Sequence, residues 1–330
     1  MLFPIRFHKV ATQALNSTHL VDREVMRARL PVSVIVSVRN EEKNLARCLE
    51  SLRAAGEIFI VDSSSTDATS EIARSFGVQV VQFRYQGGWP KKRQWALDTL
   101  ALEHDWVLLL DADESLTPEL ISEIESAVKD PAIAGYYIGL DMYFLGRRLR
   151  HCGATFYKLS LFRREKGRFE CRTPNQDTSM CDMEVHEHVM VEGATAKLTE
   201  RLVHRNVSNL SRYIQKHDEY SNWEARVWSE PDGDHAQLKP DPFGSQAQRR
   251  RWLKQKFFKT PASSVLLFLY RYVFCLGFLD GVPGLIYCGF QAIQFFHVKA
   301  KLYEAKVASR SRLGTDVHEM SAQDQNYVRH

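Results

Sequence analysis

The sequence lacks the patterns that mark several classes of protein. Its six cysteines include no C-x-x-C pair, which argues against a zinc site and against a dense disulfide framework and favours reduced thiols. The first residues contain no uninterrupted apolar run of the kind found in signal peptides, so we expect the catalytic part to stay in the cytoplasm. The net charge is only +4, without an RNA-binding aromatic motif or zinc-finger spacing, and predicts no nucleic-acid partner.

Long apolar runs are also scarce, and the two that exist lie near the carboxyl end of the chain. Residues 261–279 carry one charge, Arg271, and residues 282–298 carry no Lys, Arg, Asp or Glu. Each run is close to the lower limit of about 20 residues for a membrane span, and a central arginine costs about 2.5–3.5 kcal/mol on insertion. The pattern therefore favours a re-entrant or interfacial hairpin over two spans.

A basic segment comes just before this hairpin. Six of the eleven residues from Arg249 to Lys259 are Lys or Arg, which suits anionic headgroups on the cytoplasmic side of a membrane. The alternative is a soluble helical pair packed on the rest of the protein, with the basic segment forming a solvated face.

The first third of the chain alternates strand and helix patterns. Short apolar runs at 32–38, 58–61, 78–83 and 106–110 read as buried strands, and helical patterns separate them. This alternation predicts an α/β fold with a mostly parallel sheet and helices on both faces. Two further strands are expected at 135–140 and 155–162, with a turn at 146–148 between neighbours.

Polar side chains follow these strands where each one ends. Arg39, Asp62, Asp111 and Asp113 all fall at the carboxyl ends, where sheets of this kind bind ligands. Asp111 and Asp113 are two residues apart in extended geometry, so their carboxylates point the same way and suit Mg²⁺ or Mn²⁺. The alternative is an acidic cap of the helix that starts near Pro118.

A cationic turn precedes the third helical pattern. Gly87-Gly88-Trp89-Pro90 leads into Lys91, Lys92 and Arg93. Cations of this kind offset the charge that a diphosphate gains when it leaves. The alternative is a solvated start of a helix.

Four motifs together resemble the family 2 glycosyltransferases of the GT-A fold. They are residues 32–44 (VSVIVSVRNEEKN), the Val61-Asp62…Ser65-Thr66-Asp67 loop, Lys92-Arg93-Gln94, and Leu110-Asp111-Ala112-Asp113. The cationic turn and the apolar tail make the chain most similar to bacterial transferases that build lipopolysaccharide core or lipid-linked polysaccharide. Two departures from the family pattern are Ser63-Ser64, where many members have Asp-Gly, and Gln94, where Asn is usual.

The resemblance implies a role for each motif. It implies a nucleotide-sugar pocket lined by Ser37, Arg39, Glu41 and Asp62, with a UDP-sugar favoured as donor. It also implies that Arg93 lies near the diphosphate, that Asp111 approaches the ribose or metal, and that Asp113 binds the metal. His204 is a further candidate metal ligand, although a lone histidine after apolar residues is more often simply packed and hydrogen-bonded.

The family also has an acidic general base beyond the metal motif. If residues 184–189 (EVHEHV) form a strand, Glu187 shares a face with Val185 and Val189. Burial raises the pKa of a carboxylate and improves it as a base for a sugar hydroxyl. Family members often carry a His-Glu pair at this place, so the resemblance favours Glu187 over Glu184 and Asp182. A zinc site at His186 and His188 is disfavoured, since a strand would turn Glu187 away from both histidines.

These expectations combine into one functional prediction. The chain is expected to be an inverting glycosyltransferase at the cytoplasmic face of the inner membrane, with a glycolipid acceptor. The expected regions are an extension (1–30), a GT-A domain (31–228), a linker and basic segment (229–260), a membrane-associated hairpin (261–300) and a polar tail (301–330). A nucleotidyltransferase and a non-catalytic membrane scaffold are the alternatives.

Overall fold

The computed structural model describes residues 29–154, 156–172, 174, 176–178, 182–184, 187–205, 209–229, 238–244, 246–260 and 262–327. Within them lies one large mixed sheet flanked by helices, followed by a C-terminal group of helices.

The first half of the sheet is parallel, as the alternating pattern predicts. Its strands run in the order β3-β2-β1-β4, with bounds β1 Leu30–Val38, β2 Ala55–Asp62, β3 Gln79–Gln82 and β4 Trp106–Asp111. The connecting helices are α1 Leu45–Ser51, α2 Thr69–Ser75 and α3 Lys92–Thr99. Ser37 is in register with Asp111, and Val38 with Asp62, so the polar strand ends meet at one edge.

Beyond β4 the sheet becomes mixed. Helix α4 (Pro118–Ala127) precedes β6 (Ile133–Phe144) and β8 (Tyr157–Arg163), and β8 lies antiparallel between β4 and β6. The long strand β11 (Ala194–Arg205) runs parallel to β6 and pairs with the short β5 (Glu114–Ser115). The small strand β7 (Arg147–Arg148) makes a hairpin with β6, while β9 (Gly167–Phe169) and β10 (Val189–Val191) form a separate ribbon.

Successive side chains of the central strands point to opposite faces of the sheet, and because most of them are apolar, a hydrophobic core forms on each face. Val34 and Val36 of β1 face a cluster that includes Leu49 of α1 and Leu120 of α4. Ile35 faces the other way, toward a second cluster that contains Ala96 of α3 and residues of the β9–β10 ribbon. The buried strand β1 is therefore fixed from both sides, which holds the strand-end residues in place.

The C-terminal region is helical. Its helices are α5 Leu210–Ser229, α6 Gln246–Lys259, α7 Ser263–Leu269 and α8 Gly281–Tyr327, with a π-helical turn at Tyr270–Phe274 and a 3₁₀ turn at Gly277–Asp280 between the last two. Over the described part of the chain, length and composition single out no individual helix as able to cross a membrane. The segments Ser263–Phe274 and Gly277–Ala308 meet those requirements only as a pair, and they are bent by 72°.

The hairpin packs on the catalytic part through one side and is exposed on the other. Phe144 and Leu149 pack with Tyr287 and Cys288 of α8. Arg271 turns toward the protein and donates to the carbonyl of Cys152 at 2.9 Å, which explains how a charge is placed in an apolar segment. The large apolar side chains of the hairpin with more than two fifths of their surface exposed are Val265, Leu266, Leu269, Tyr270, Val273, Phe274, Leu276, Phe278, Leu279, Val282, Leu285, Ile293 and Phe296.

Three local features bear on the sequence-based expectations. Asn40 lies before α1, which begins at Leu45 with Asn44 at its N-cap; Asn40 has φ +57° and accepts a hydrogen bond from the Thr66 N–H. The basic segment forms helix α6, whose Gln, Arg and Lys residues have high helix propensity. The boundary expected at residue 300 falls inside α8, which is continuous from hairpin to tail.

Candidate active site

The carboxylate of Asp111 lies at the end of β4 between two cations. The guanidinium of Arg93 binds Oδ1, and the ammonium of Lys158 lies 3.2 Å from Oδ2. Burial raises the pKa of Asp111, but the positive charges of Arg93 and Lys158 outweigh it and hold the pKa well below its ordinary value. Both oxygens of Asp111 are therefore engaged by the chain itself, and its approach to the ribose or metal stays a prediction.

Glu114 holds the loop that follows β4. Its side chain is buried and accepts from Lys158 through both oxygens at 2.8 Å, and Oε2 also accepts from the backbone N–H of Asp111 at 2.9 Å. Burial raises the pKa of Glu114, and Lys158 opposes that rise. Lys158 thus links the two carboxylates and fixes the direction in which Asp111 points.

Asp113 and His204 form the second part of the site. Asp113 is buried, and its backbone carbonyl accepts from Arg205 of β11 at 2.9 Å, which brings the neighbouring His204 alongside. His204 Nδ1 lies 3.4 Å from Asp113 Oδ1 and 4.0 Å from Glu114 Oε1. Among the described residues this buried nitrogen has no hydrogen-bond partner.

Two of the three expected metal ligands therefore fit a divalent cation. A carboxylate and an imidazole nitrogen lie together, and the nitrogen lacks a partner. Mg²⁺ is commonly held by one or two protein ligands, with phosphate oxygens and water completing the shell. No cluster of three or more His, Cys, Asp or Glu ligands occurs in the part of the chain that the structure describes.

The expected nucleotide contacts surround the end of β1. Ser37 Oγ is buried and, within the described ranges, without a hydrogen-bond partner, while Arg39 is exposed just after the strand. Asp62 is buried and accepts four hydrogen bonds, from Ser65 N–H and Oγ at 3.0 and 2.6 Å and from Ser70 and Gln82 at 2.7 and 3.0 Å. Burial raises the pKa of Asp62, but these donors lower it below its usual range. A nucleotide that binds Asp62 must compete with them.

Glu41 connects this edge of the sheet with helix α5. Its carboxylate accepts from Asn44 Nδ2 at 2.7 Å and lies 4.0 Å from the ammonium of Lys216. Burial raises the pKa of Glu41, partly offset by the charge of Lys216. Helix α5 therefore brings a cation to the expected nucleotide pocket.

Lys91, Lys92 and Arg93 at the start of α3 are buried. The alternative, in which these cations form a solvent-exposed start of a helix, is therefore excluded. Lys92 donates to the carbonyl of Val38 at 3.1 Å and lies 3.4 Å from Asp182 Oδ2. Arg93 donates to the carbonyl of Glu184 at 2.9 Å, in addition to its bond with Asp111. Glu184 in turn accepts the first N–H groups of the helix, those of Arg93 and Gln94, at 3.1 and 2.9 Å. Glu184 and Asp182 are thus occupied in holding α3.

Glu187 has different neighbours from those expected. Of the stretch 184–189, residues 185 and 186 lie outside the described residues, and the strand β10 begins only at Val189. Glu187 is buried as expected, but its Oε1 binds the ammonium of Lys91 at 2.7 Å. Its other oxygen, Oε2, has no hydrogen-bond partner in the described part of the chain.

Sequence reasoning missed three residues of this site: Glu114, Lys158 and Lys216. Glu114 directly follows Asp113, but no sequence spacing distinguishes it from other acidic residues. Lys158 has a signal that could have been used, since it is a cation inside an apolar strand pattern (YKLSLFR). Lys216 lies on an amphipathic helix where nothing local separates it from other exposed lysines.

A parallel sheet whose strand ends carry paired carboxylates and cations defines an α/β enzyme that handles an anionic substrate. Residues 33–185 match the model of Glycosyl transferase family 2. Two curated relatives align over most of their length. The lipopolysaccharide core biosynthesis glycosyltransferase LpsC of Rhizobium meliloti is 28% identical over 84% of this chain and 94% of its own. An uncharacterized glycosyltransferase of Rickettsia conorii is 28% identical over 87% and 95%.

The chain thus contains a family 2 glycosyltransferase domain, and the protein is a glycosyltransferase. The expected α/β fold with a C-terminal helical hairpin is confirmed. Among solved structures, glucosyl-3-phosphoglycerate synthase from Mycobacterium tuberculosis is similar with 15% identity, a TM-score of 0.37 and coverage of 70% of this chain and 88% of that one.

Proposed function

We propose that this glycosyltransferase moves a sugar from a nucleoside-diphosphate sugar, with a UDP-sugar favoured, to a glycolipid at the cytoplasmic face of a membrane. The acceptor class is lipopolysaccharide core or a lipid-linked polysaccharide intermediate. The observation that carries the proposal is the pair of groups after β4: Asp111 between Arg93 and Lys158, and Asp113 beside His204.

The donor site has the charge distribution that a diphosphate needs. Asp113 and His204 would hold Mg²⁺ or Mn²⁺, which supplies positive charge to the leaving diphosphate. Arg93 and Lys158 add two cations, one on each oxygen of Asp111. Their positions are set by these ion pairs before the substrate binds, so little reorganisation accompanies the reaction.

Glu187 is the proposed general base. The acceptor hydroxyl oxygen bonds to the anomeric carbon while the bond from that carbon to the diphosphate oxygen breaks, and the hydroxyl proton passes to Oε2 of Glu187. One displacement of this kind inverts the anomeric configuration. Because the Glu187 side chain has no exposed surface, the acceptor can reach Oε2 only after surrounding side chains move.

The hairpin supports a membrane acceptor. Its outward face is apolar, with Phe274 77% and Val282 68% exposed, and such a contiguous face is typical of an interaction surface. Arg249 and Lys256 of the preceding helix are exposed cations suited to anionic lipid. The inward orientation of Arg271 removes the charge that would oppose contact with lipid.

The relatives agree with this assignment and not with the two alternatives. One relative that aligns over 94% of its length is named for lipopolysaccharide core biosynthesis, which supports the proposed acceptor class. The family match supports a glycosyltransferase over a nucleotidyltransferase or a non-catalytic scaffold.

The proposal is tested with the purified full chain, a panel of UDP-, GDP- and dTDP-sugars, and a lipid extract, with and without Mn²⁺ or Mg²⁺. Release of nucleoside diphosphate should require both metal and lipid, and NMR of the product should show inversion. D113N should lower the rate about 10²–10³-fold, the scale for losing one group that stabilises transition-state charge. The control D130N changes an exposed carboxylate and should leave the rate unchanged.

Two results would contradict the proposal. One is turnover that persists after the metal is chelated. The other is full activity in D113N.

A further inference from the structure

Lys91 and Glu187 form an ion pair with no exposed side-chain surface. The ammonium Nζ lies 2.7 Å from Oε1, and both side chains have 0% relative accessibility. Taking two charges out of water is costly, and a hydrophobic pair of similar volume is often at least as stable. Stability alone therefore gives no reason for a lysine at this position.

Two contacts besides the one with Glu187 restrain Lys91. It occupies the N-cap of α3, where its carbonyl accepts from Trp95 N–H at 2.8 Å. Its ammonium lies 4.5 Å from the centroid of the Trp223 ring, a cation–π contact with helix α5. The indole N–H of Trp223 donates to Gln176 Oε1 at 2.9 Å, which fixes the ring. The ammonium therefore has little freedom to leave Glu187.

This arrangement makes the two oxygens of Glu187 unequal. Oε1 is bound to Lys91, while Oε2 has no partner in the described ranges. A buried carboxylate without a counter-charge tends to take up a proton, and a carboxyl group that already holds one cannot accept another. A carboxylate bound at one oxygen also cannot rotate freely about its Cγ–Cδ bond.

We propose that Lys91 is a positioning residue for sugar transfer, acting through Glu187. Its ammonium binds Oε1 and holds the carboxylate in one orientation, so that Oε2 is the oxygen that takes the acceptor proton. During transfer the acceptor proton goes to Oε2, and Lys91 keeps its own protons throughout. This inference rests on the proposed role of Glu187 as the base.

The test is a cycle of four proteins: wild type, K91M, E187Q and K91M/E187Q, with K91R as the conservative variant. Donor binding by calorimetry and the kcat and KM of each protein are measured. K91M should lower kcat about 100-fold, within the range that general-base catalysis contributes. The donor Kd and KM should change less than about threefold, because the Lys91 side chain has no exposed surface and its ammonium contacts Glu187 and Trp223, and K91R should recover most of the rate.

The double variant separates action through Glu187 from any independent effect. K91M/E187Q should be no slower than E187Q, since a lysine that acts on a base has no function once the base is gone. If K91M fails to fold, this comparison still shows whether Lys91 acts through Glu187, because the double variant leaves no buried charge unpaired.

Each outcome has a distinct meaning. A normal kcat in E187Q would overturn the proposed base and leave no role for Lys91. An impaired E187Q together with a normal K91M would overturn the role of Lys91 alone. A double variant that is slower than E187Q by the full K91M factor would show that Lys91 acts independently, and would also overturn it.

Discussion

Arg251 offers a test of whether the basic segment faces solvent or is part of the folded structure. It is the buried member of that segment: the Arg251 and Glu170 side chains are 6% and 0% exposed. The guanidinium binds Glu170 through two nitrogens, with Nη1 at 3.1 Å from Oε2 and Nη2 on Oε1, and Nη1 also donates to the carbonyl of Leu238. The variant R251M removes all three contacts.

The loss of stability in R251M depends on the contacts that remain around Glu170. Its carboxylate would keep the hydrogen bond from the backbone N–H of His188 at 3.2 Å, which cannot replace a full charge. Breaking a buried pair by removing one partner typically costs about 3–5 kcal/mol. For a chain of this size we expect the melting temperature to fall by roughly 5–10 °C.

Thermal unfolding followed by circular dichroism measures the effect, with R249M as the matched control. Arg249 is exposed on the same helix, so its loss should change stability by less than about 0.5 kcal/mol. The double variant E170M/R251M removes both charges and should regain most of the lost stability. Equal melting temperatures for R251M and R249M would refute the reasoning, as would a double variant whose loss is the sum of the two single losses.

Three further predictions follow from other parts of the structure. K158M should lower kcat/KM about 10–100-fold, the scale for residues that orient a metal-site carboxylate, and K158R should lower it less; unchanged kinetics would contradict the role given to Lys158. F274S should weaken sedimentation with anionic vesicles about tenfold through loss of one inserted aromatic ring. F243S should not, although Phe243 is even more exposed than Phe274 (94% against 77%), because it lies outside the hairpin; equal effects would count against the hairpin as the lipid contact. Burial lowers the pKa of His188 to about 4. Between about pH 6.5 and 4 this histidine is therefore protonated in the unfolded chain but neutral in the folded chain. The free energy of unfolding should fall on acidification across this range by up to about 1.4 kcal/mol per pH unit. Melting curves across this range should be flatter for H188Q, and parallel curves would contradict the assignment.

The sequence predicts the parallel half of the sheet well because its signals are local. The strands β1, β2 and β4 are uninterrupted apolar runs between turn residues, and each lies within about three residues of its expected bounds. The sequence does not predict the short strands β5 and β7, because a two-residue element is too short to show an alternating pattern. Residues 249–259 stand out in the sequence by their charge, which obscures the helix propensity of α6.

The candidate site is predictable where the chain order places it and unpredictable where distant segments meet. Asp111 and Asp113 follow directly from the strand they terminate. The partners Lys158 and Lys91 depend on contacts across 47 and 96 residues, and no local pattern shows which cation reaches which acid. The same limit applies to Arg271, whose inward direction is set by the fold of residues around Cys152.

Helix α5 changes where the functional unit of this enzyme ends. The family match stops at residue 185, yet α5 supplies Lys216 beside Glu41 and Trp223 beneath Lys91. The same helix binds α8 through Asp218, whose carboxylate lies 2.6 Å from Lys301. A chimera that joined residues 1–185 to another C-terminal segment would keep the residues of the family match but lose both side chains, together with Glu187 and His204. Exchange of segments between relatives should therefore preserve activity only when the crossover point lies outside the part of the chain that runs from β1 to α8.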